Sequence, residues 1–407
     1  LRPAGNPLTA PGLPEGGRLR GSLREAGVAA MGCWSMAADS QWSARDEGRW
    51  GRRALTVPAV LAAALGAFAS TPVVLPVLVA ADLSRARVRL PAARVWLVAL
   101  QYLLIEAVEV LSAPVIWVVA KPGDMLGLRT SQRLSSAVAM WSARCLARRA
   151  ESLLGVSVVI EGEPPDLPAD RNLVVIARHA SLLDAALPAL VVSGVDQGQQ
   201  HRQRQVCGVL MSELLVDPGF DIVYQRMGSV FVDRGDSIGA RGAIRSMAEG
   251  MPSSAVAIIF CEGRLFSTER LAARLDRLRE AEPARALRLE GLKAVLPPKA
   301  GGLSELLAGC PESDVVVLEH TGLESVPSVR DLLRHCPIEH PVRVRMRFFD
   351  RGSVPATEEA LVEWLDDQYL EMDRWMAGAV PGQTAPDQTA PDQTAPSLSE
   401  PGASPVR

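Results

Sequence analysis

The sequence predicts an α/β domain built on a mostly parallel or mixed central sheet flanked by helices, preceded by a hydrophobic helical segment that anchors it in a membrane. Three observations carry this expectation. From about residue 156, short runs rich in Val, Ile, Leu and Phe alternate with helix-length intervals, the pattern of strands joined by helices. Between Arg53 and Asp82 there is no charged residue, and such a run is long enough to span a bilayer. Both ends of the 407-residue chain lack sustained apolar periodicity, so they frame one domain instead of adding others.

Residues 1–50, rich in Gly, Arg, Ala and Pro, are expected to be disordered, and Met31 or Met36 offers a start site. Residues 51–121 are expected to form the anchoring helices. Pro58, Pro72 and Pro76 should kink the first of them. The second apolar stretch, 95–120, carries Gln101, Glu106 and Glu109. Those two carboxylates lie three apart and share a helical face, which must pair with a neighbour or lie in the interface. A buried helix of a soluble protein is the rival reading. Arginines precede the first stretch and separate it from the second, so charge alone assigns no topology.

The main domain is expected over 122–378. Its strands are predicted at 156–160, 173–177, 206–211, 230–232, 255–260, 315–318 and 342–349, with helices at 237–250 and 268–289. A last amphipathic helix over 358–376 places Leu361, Trp364, Leu365 and Tyr369 near one face. Beyond it, over 379–407, a Pro-punctuated period-five repeat makes a solvated tail that cannot build a core.

Charge and cysteine usage narrow the function classes. The net charge is −3, and the basic residues are nearly all Arg, with Lys only at 121, 293 and 299. No clustered basic stripe marks a nucleic-acid binder. The six Cys, at 33, 145, 207, 261, 310 and 336, show no C-x-x-C spacing and no His at metal-ligand distance. They read as reduced, cytosol-facing thiols, and no metal is implied.

The chemistry concentrates at the end of the apolar run 173–177, in His179-Ala180-Ser181-Leu182-Leu183-Asp184. A His at a strand end and a carboxylate five residues on can fold back on one another as a general base and its orienting partner. The same residues also satisfy S-x-x-D, a capping box whose only work is to start a helix. The order of further matches decides between these readings. His179-x-Ser181-x-x-Asp184 resembles the first motif of the glycerolipid acyltransferases, the H-x-x-x-x-D family that acylates lysophosphatidic acid and other lysophospholipids. Gly228-Ser229-Val230-Phe231-Val232-Asp233-Arg234 resembles its second motif and Phe260-Cys261-Glu262-Gly263 its third, while Val295-Leu296-Pro297-Pro298-Lys299 resembles a fourth. The spacing, with Glu213-Leu214-Leu215 and Gly291-Leu292-Lys293, is most similar to the branch that includes lysocardiolipin acyltransferases.

The resemblance implies an O-acyltransferase of the 1-acylglycerol-3-phosphate type in phospholipid biosynthesis. It would use acyl-CoA, or acyl carrier protein, as donor co-substrate and a lysophospholipid as acceptor, with no bound cofactor. The implied catalytic pair is His179 and Asp184, the acceptor hydroxyl attacking directly without a Ser or Cys nucleophile. Arg234, Glu262, Gly263 and Arg264 are the implied substrate-binding residues. Membrane lipid is the other partner, and the catalytic domain is expected to face the cytosol. Two alternatives stay open: another lysophospholipid acceptor, including lysocardiolipin, or an inactive lipid-binding relative. Departures from the family pattern are Arg178 in place of Asn, Cys261 and Arg264 in place of Pro and Thr, and Leu265 in place of Arg. His201, His320, His335 and His340 have no acidic partner at fixed spacing and are expected in surface or core roles.

Overall fold

The computed structural model describes residues 48–200 and 204–378. The two terminal segments expected to be disordered, with Met31, Met36 and Cys33, lie outside the described residues, as does His201; only the last three residues of the first segment are described, where a helix already begins.

Two long helices open the described chain, α1 (Arg49–Ser84) and α2 (Pro91–Met125). Helix α1 runs as one helix through Pro58, Pro72 and Pro76. At about 1.5 Å per residue it would measure about 54 Å, more than the ~30 Å hydrocarbon layer. Both helices are long and apolar enough to cross a membrane. Leu55, Leu65, Phe68, Val73 and Val77 of α1 are all more than half exposed.

The carboxylates of α2 find their partner in the main domain, not in α1. Glu106 and Glu109 are both buried, and Glu106 accepts a hydrogen bond from the Gly219 N–H at 3.0 Å. A Cβ on Gly219 would meet the Glu109 carboxylate at 2.2 Å, so only glycine fits beneath this pair. Helix α1 is latched to the same loop. Arg52 reaches both oxygens of the buried Asp221 at 2.7 and 3.1 Å, and Arg53 joins at 3.0 Å.

Helix α3 (Thr130–Arg149) leads to β1 (Val158–Ile160) and β2 (Leu173–Ala177). There follow α4 (Leu187–Gln200), β3 (Val206–Met211), β4 (Val230–Val232), α5 (Ser237–Glu249), β5 (Val256–Ile259), α6 (Thr268–Ala281) and α7 (Pro283–Leu289). The chain closes with α8 (Gly301–Gly309), β6 (Asp314–Thr321), α9 (Val329–His335), β7 (Val342–Phe349) and α10 (Glu358–Gly378). All seven predicted strands are present. The predicted helix over 268–289 is two helices, because Pro283 keeps the preceding Glu282 out of the helical region, at φ −140° and ψ 70°. Helix α8 carries no early signal, since it starts on two glycines. It forms because Leu303, Leu306 and Leu307 bury together.

The sheet order is β1-β7-β6-β2-β5-β3-β4. Neighbours are parallel except β6 and β7, so the sheet is mixed with a parallel centre. β2 lies in the middle with all five residues buried. Leu173, Val175 and Ala177 face one apolar cluster, with Met140, Leu154 and Val191. Val174 and Ile176 face the other, with Leu303, Leu306 and Tyr369. A strand covered on both faces reads in sequence as a continuous apolar run, which is why its limits were legible.

Candidate active site

The carboxyl end of β2 lies between β5 and β6, and the chain leaves it as Arg178-His179. Chemistry in parallel sheets collects at this edge because the loops diverge there.

His179 Nδ1 lies 2.7 Å from Asp184 Oδ1. Asp184 is fully buried, and its Oδ2 accepts the Ala180 N–H at 2.6 Å and the Ser181 N–H at 2.8 Å. The capping box is therefore real as well: Ser181 Oγ accepts the Leu183 N–H at 3.2 Å. It caps one 3-10 turn, Leu182–Asp184, before α4 begins at Leu187. One carboxylate oxygen serves the backbone and the other the imidazole. Burial alone would raise the Asp184 carboxyl, but hydrogen bonds from His179 and His320 outweigh it and hold the group well below the usual carboxylate range. An ionised acceptor at Nδ1 fixes that nitrogen as the N–H and leaves Nε2 as the basic lone pair.

The segment after β5 wraps His179. Phe260 packs its ring on the imidazole with centroids 4.4 Å apart, and the Phe266 N–H donates to His179 O at 2.8 Å. Glu262 is fully buried. Its carboxylate accepts the His179 N–H at 2.9 Å and the Leu296 N–H at 3.0 Å. Burial pushes Glu262 up to about 7, against those two N–H bonds and the Arg178 charge, which pull it down. Glu262, one of the implied substrate-binding residues, thus spends its carboxylate on the backbone of the first and fourth motifs.

Gly263 adopts φ +64°, a left-handed value that glycine reaches without strain. Arg264 follows it, exposed and, among the described residues, without a hydrogen-bonding or acidic partner. Arg234 meets Glu213 at 2.7 Å, with both side chains about half exposed. Asp233 accepts from Ser212 and Asp236 caps α5 through the Gly239 N–H at 2.8 Å. Arg234 lies beyond β4, three strands from β2, which is about 14 Å at the usual strand spacing.

Other residues join the site, and Arg274, Arg277 and His320 do so without a motif to mark them. Arg274 donates to Glu262 O at 3.0 Å and Pro297 O at 2.7 Å, tying α6 to both loops. The Lys299 N–H bonds Cys261 O at 2.9 Å. Burial, and then the charges of Arg274, Arg264, Arg277 and Arg234, lower Lys299, so these cations crowd one another. Among the described residues neither Arg277 nor Lys299 has an acidic partner. Arg178 is fully buried and donates to His320 O at 2.9 Å, to Ala294 O at 2.8 Å and to Glu324. His320, expected in a plain surface or core role, lies 3.2 Å from Asp184 Oδ2. The signal that would have found it is its place at the carboxyl end of the strand beside β2.

Neither a nucleophile nor a metal cage is offered here. Ser181 Oγ donates to Val326 O at 2.6 Å, and burial pushes the Cys261 thiol well up. Among the described residues no group of His, Cys, Asp and Glu is arranged to hold a metal ion.

Residues 159–304 match the family model described as acyltransferase, a span that contains all four motifs. Among solved structures the chain is similar to the 1-acyl-sn-glycerophosphate (LPA) acyltransferase PlsC from Thermotoga maritima, at 17% identity over 68% of this chain and 97% of that one, with a TM-score of 0.38. No curated protein matches.

Proposed function

We propose that this chain is a membrane-associated lysophospholipid O-acyltransferase, moving a fatty acyl group from acyl-CoA or acyl carrier protein to the free hydroxyl of 1-acyl-sn-glycerol 3-phosphate. The observation that carries the reading is the 2.7 Å contact of His179 Nδ1 with a buried, ionised Asp184. The acyltransferase match over 159–304 supports the reaction class.

The acceptor hydroxyl attacks the thioester carbonyl as His179 Nε2 takes its proton. An ester C–O bond forms, the C–S bond breaks, and the imidazolium returns the proton to the leaving thiolate. Asp184 holds the tautomer and stabilises the imidazolium, as an orienting carboxylate does. Direct attack is favoured because Ser181 is committed to backbone and Cys261 is buried as a thiol.

Arg264, Arg277 and Lys299 supply positive charge with no acidic partner among the described residues, the environment a phosphate seeks. Arg234 is recruitable because exposed ion pairs are worth only about 0–1 kcal/mol. The exposed apolar face of α1 supports membrane association, since a face of this kind needs an apolar cover. We place the catalytic domain on the cytosolic side, where its free cysteines stay reduced. The number of cations favours, as a second reading, an acceptor with two phosphates such as lysocardiolipin.

The test is transfer of labelled acyl-CoA by membranes containing the chain, across a panel of lysophospholipids. Lysophosphatidic acid should be acylated best, and His179→Ala should abolish the signal. Preference for lysocardiolipin would move the assignment to remodelling, and inactivity with every acceptor would leave the lipid-binding alternative.

A further inference from the structure

We propose that His320 is a positioning residue that grips Asp184 from the side opposite His179, so that the base is held by a three-member chain His179–Asp184–His320. The inference rests on the acyl-transfer reading of this site.

His320 stands near the carboxyl end of β6, which pairs with β2 in the register Ala177 to Leu318. That pairing brings residue 320 level with the turn that carries Asp184. The ring is 1% exposed. Its Nε2 lies 3.2 Å from Asp184 Oδ2 and 3.2 Å from Arg178 O. Both neighbours are acceptors, so Nε2 carries the proton and donates. The Asp184 carboxylate accepts three hydrogen bonds, from His179 Nδ1 on Oδ1 and from the Ala180 and Ser181 N–H groups on Oδ2, and His320 Nε2 adds a fourth contact at 3.2 Å on Oδ2. A carboxylate has about four lone-pair sites, so the group has no freedom to rotate away from His179.

A histidine retained merely as core filler would satisfy both ring nitrogens, because an orphaned buried polar atom is costly. His320 does not: Nδ1 is buried with no partner among the described residues. The ring is placed for what Nε2 reaches, at the expense of Nδ1. Arg178 completes the clamp. Its guanidinium donates to the His320 carbonyl at 2.9 Å while its own carbonyl faces His320 Nε2. The two residues thus exchange main-chain and side-chain contacts across the ends of β2 and β6. Arg178, which departs from the family pattern, is linked in this way to the histidine that holds the orienting carboxylate.

Glutamine and asparagine separate the roles of the two ring nitrogens. A Gln amide nitrogen overlays Nε2 and can still donate to Asp184, whereas an Asn amide nitrogen overlays Nδ1 and cannot. In the full chain, His320→Asn should lower kcat by about ten- to a hundredfold, the effect of one hydrogen bond to a charged group. The KM values for acyl-CoA and lysophospholipid should stay within about twofold, because His320 meets neither. His320→Gln should recover most of the lost kcat. Equal kcat in the two variants, or a loss that appears in KM, would overturn the proposal. A double-mutant cycle in thermal unfolding, combining His320→Asn with Asp184→Ala, reads the contact without any assay of turnover. Non-additive shifts support the grip and additive shifts overturn it. If the wild-type chain proved inactive, the acyl-transfer reading would fall and the cycle alone would decide.

Discussion

Glu262 accepts the backbone N–H of His179 at 2.9 Å from 83 residues away, so the third motif holds the first in place. Its other oxygen holds Leu296 at 3.0 Å in the fourth. Glu262→Ala should therefore act as a folding mutation before it acts on substrate. One buried and one partly buried N–H group would lose their acceptor, at about 1–3 kcal/mol for the buried one, and the midpoint of thermal unfolding should fall by several degrees or more. A variant that unfolds like the wild type but binds acceptor poorly would return Glu262 to a substrate-contacting role.

The same residue sets a pH dependence. Burial moves its carboxyl from an ordinary 4.5 up to about 7. A folded-state value above the unfolded one means that the folded chain holds the proton more tightly. The associated stability is fully present below about pH 4.5 and is lost as pH rises to about 7, at most about 3 kcal/mol. Asp184, shifted downward, changes stability only below this window. Glu262→Gln, which cannot ionise, should flatten the stability profile between those pH values in thermal melts. An unchanged slope would show that Glu262 is not the group responsible.

For the base and its orienter, His179→Ala and Asp184→Ala should each lower kcat by about 10²- to 10⁴-fold. The double variant should be little worse than either, because the pair acts as a unit. Near wild-type transfer by His179→Ala would leave Asp184 as a helix cap alone.

The exposed cations should divide differently. Arg234→Ala should raise the KM for lysophospholipid well above any change for acyl-CoA, with Lys restoring it in part since a point charge lacks the planar fork. Stability should move by no more than about 0.5 kcal/mol, because its pair with Glu213 is exposed. Arg264→Ala should act in the same direction. Restoring the family pattern with Arg264→Thr and Leu265→Arg should preserve activity. A silent Arg264→Ala would shift the acceptor away from lysophosphatidic acid.

At the anchor, carbonate washing should leave the full chain in the membrane pellet, whereas a chain truncated to begin at Pro122 should lose much of that retention. Asp221→Ala should also destabilise the solubilised protein by about 3–5 kcal/mol, because Arg52, 2% exposed, would keep a buried charge without its partner. Thermal unfolding in detergent measures this, and an Arg52→Ala, Asp221→Ala double variant should recover part of the loss.

By itself the sequence determined what is local. Strands β2, β3, β4 and β7 keep the limits read from the sequence because each pattern is local: β2 is an unbroken buried run, as a strand covered on both faces is, and β7 alternates buried Val342, Val344 and Met346 with half-buried arginines. The His179-to-Asp184 step was legible for the same reason: five residues span one turn, and both the capping and the pairing readings of Asp184 hold at once. Tertiary structure alone decided the rest. Glu262 reached a backbone N–H instead of a guanidinium because β5 runs beside β2. Glu106 faced Gly219 instead of helix α1, and Arg234 met Glu213 across a loop. His320, 142 residues from Arg178, entered the site because β6 lies on the other side of β2. Periodicity reports which face of an element is buried, and it carries no information about which distant element will cover that face.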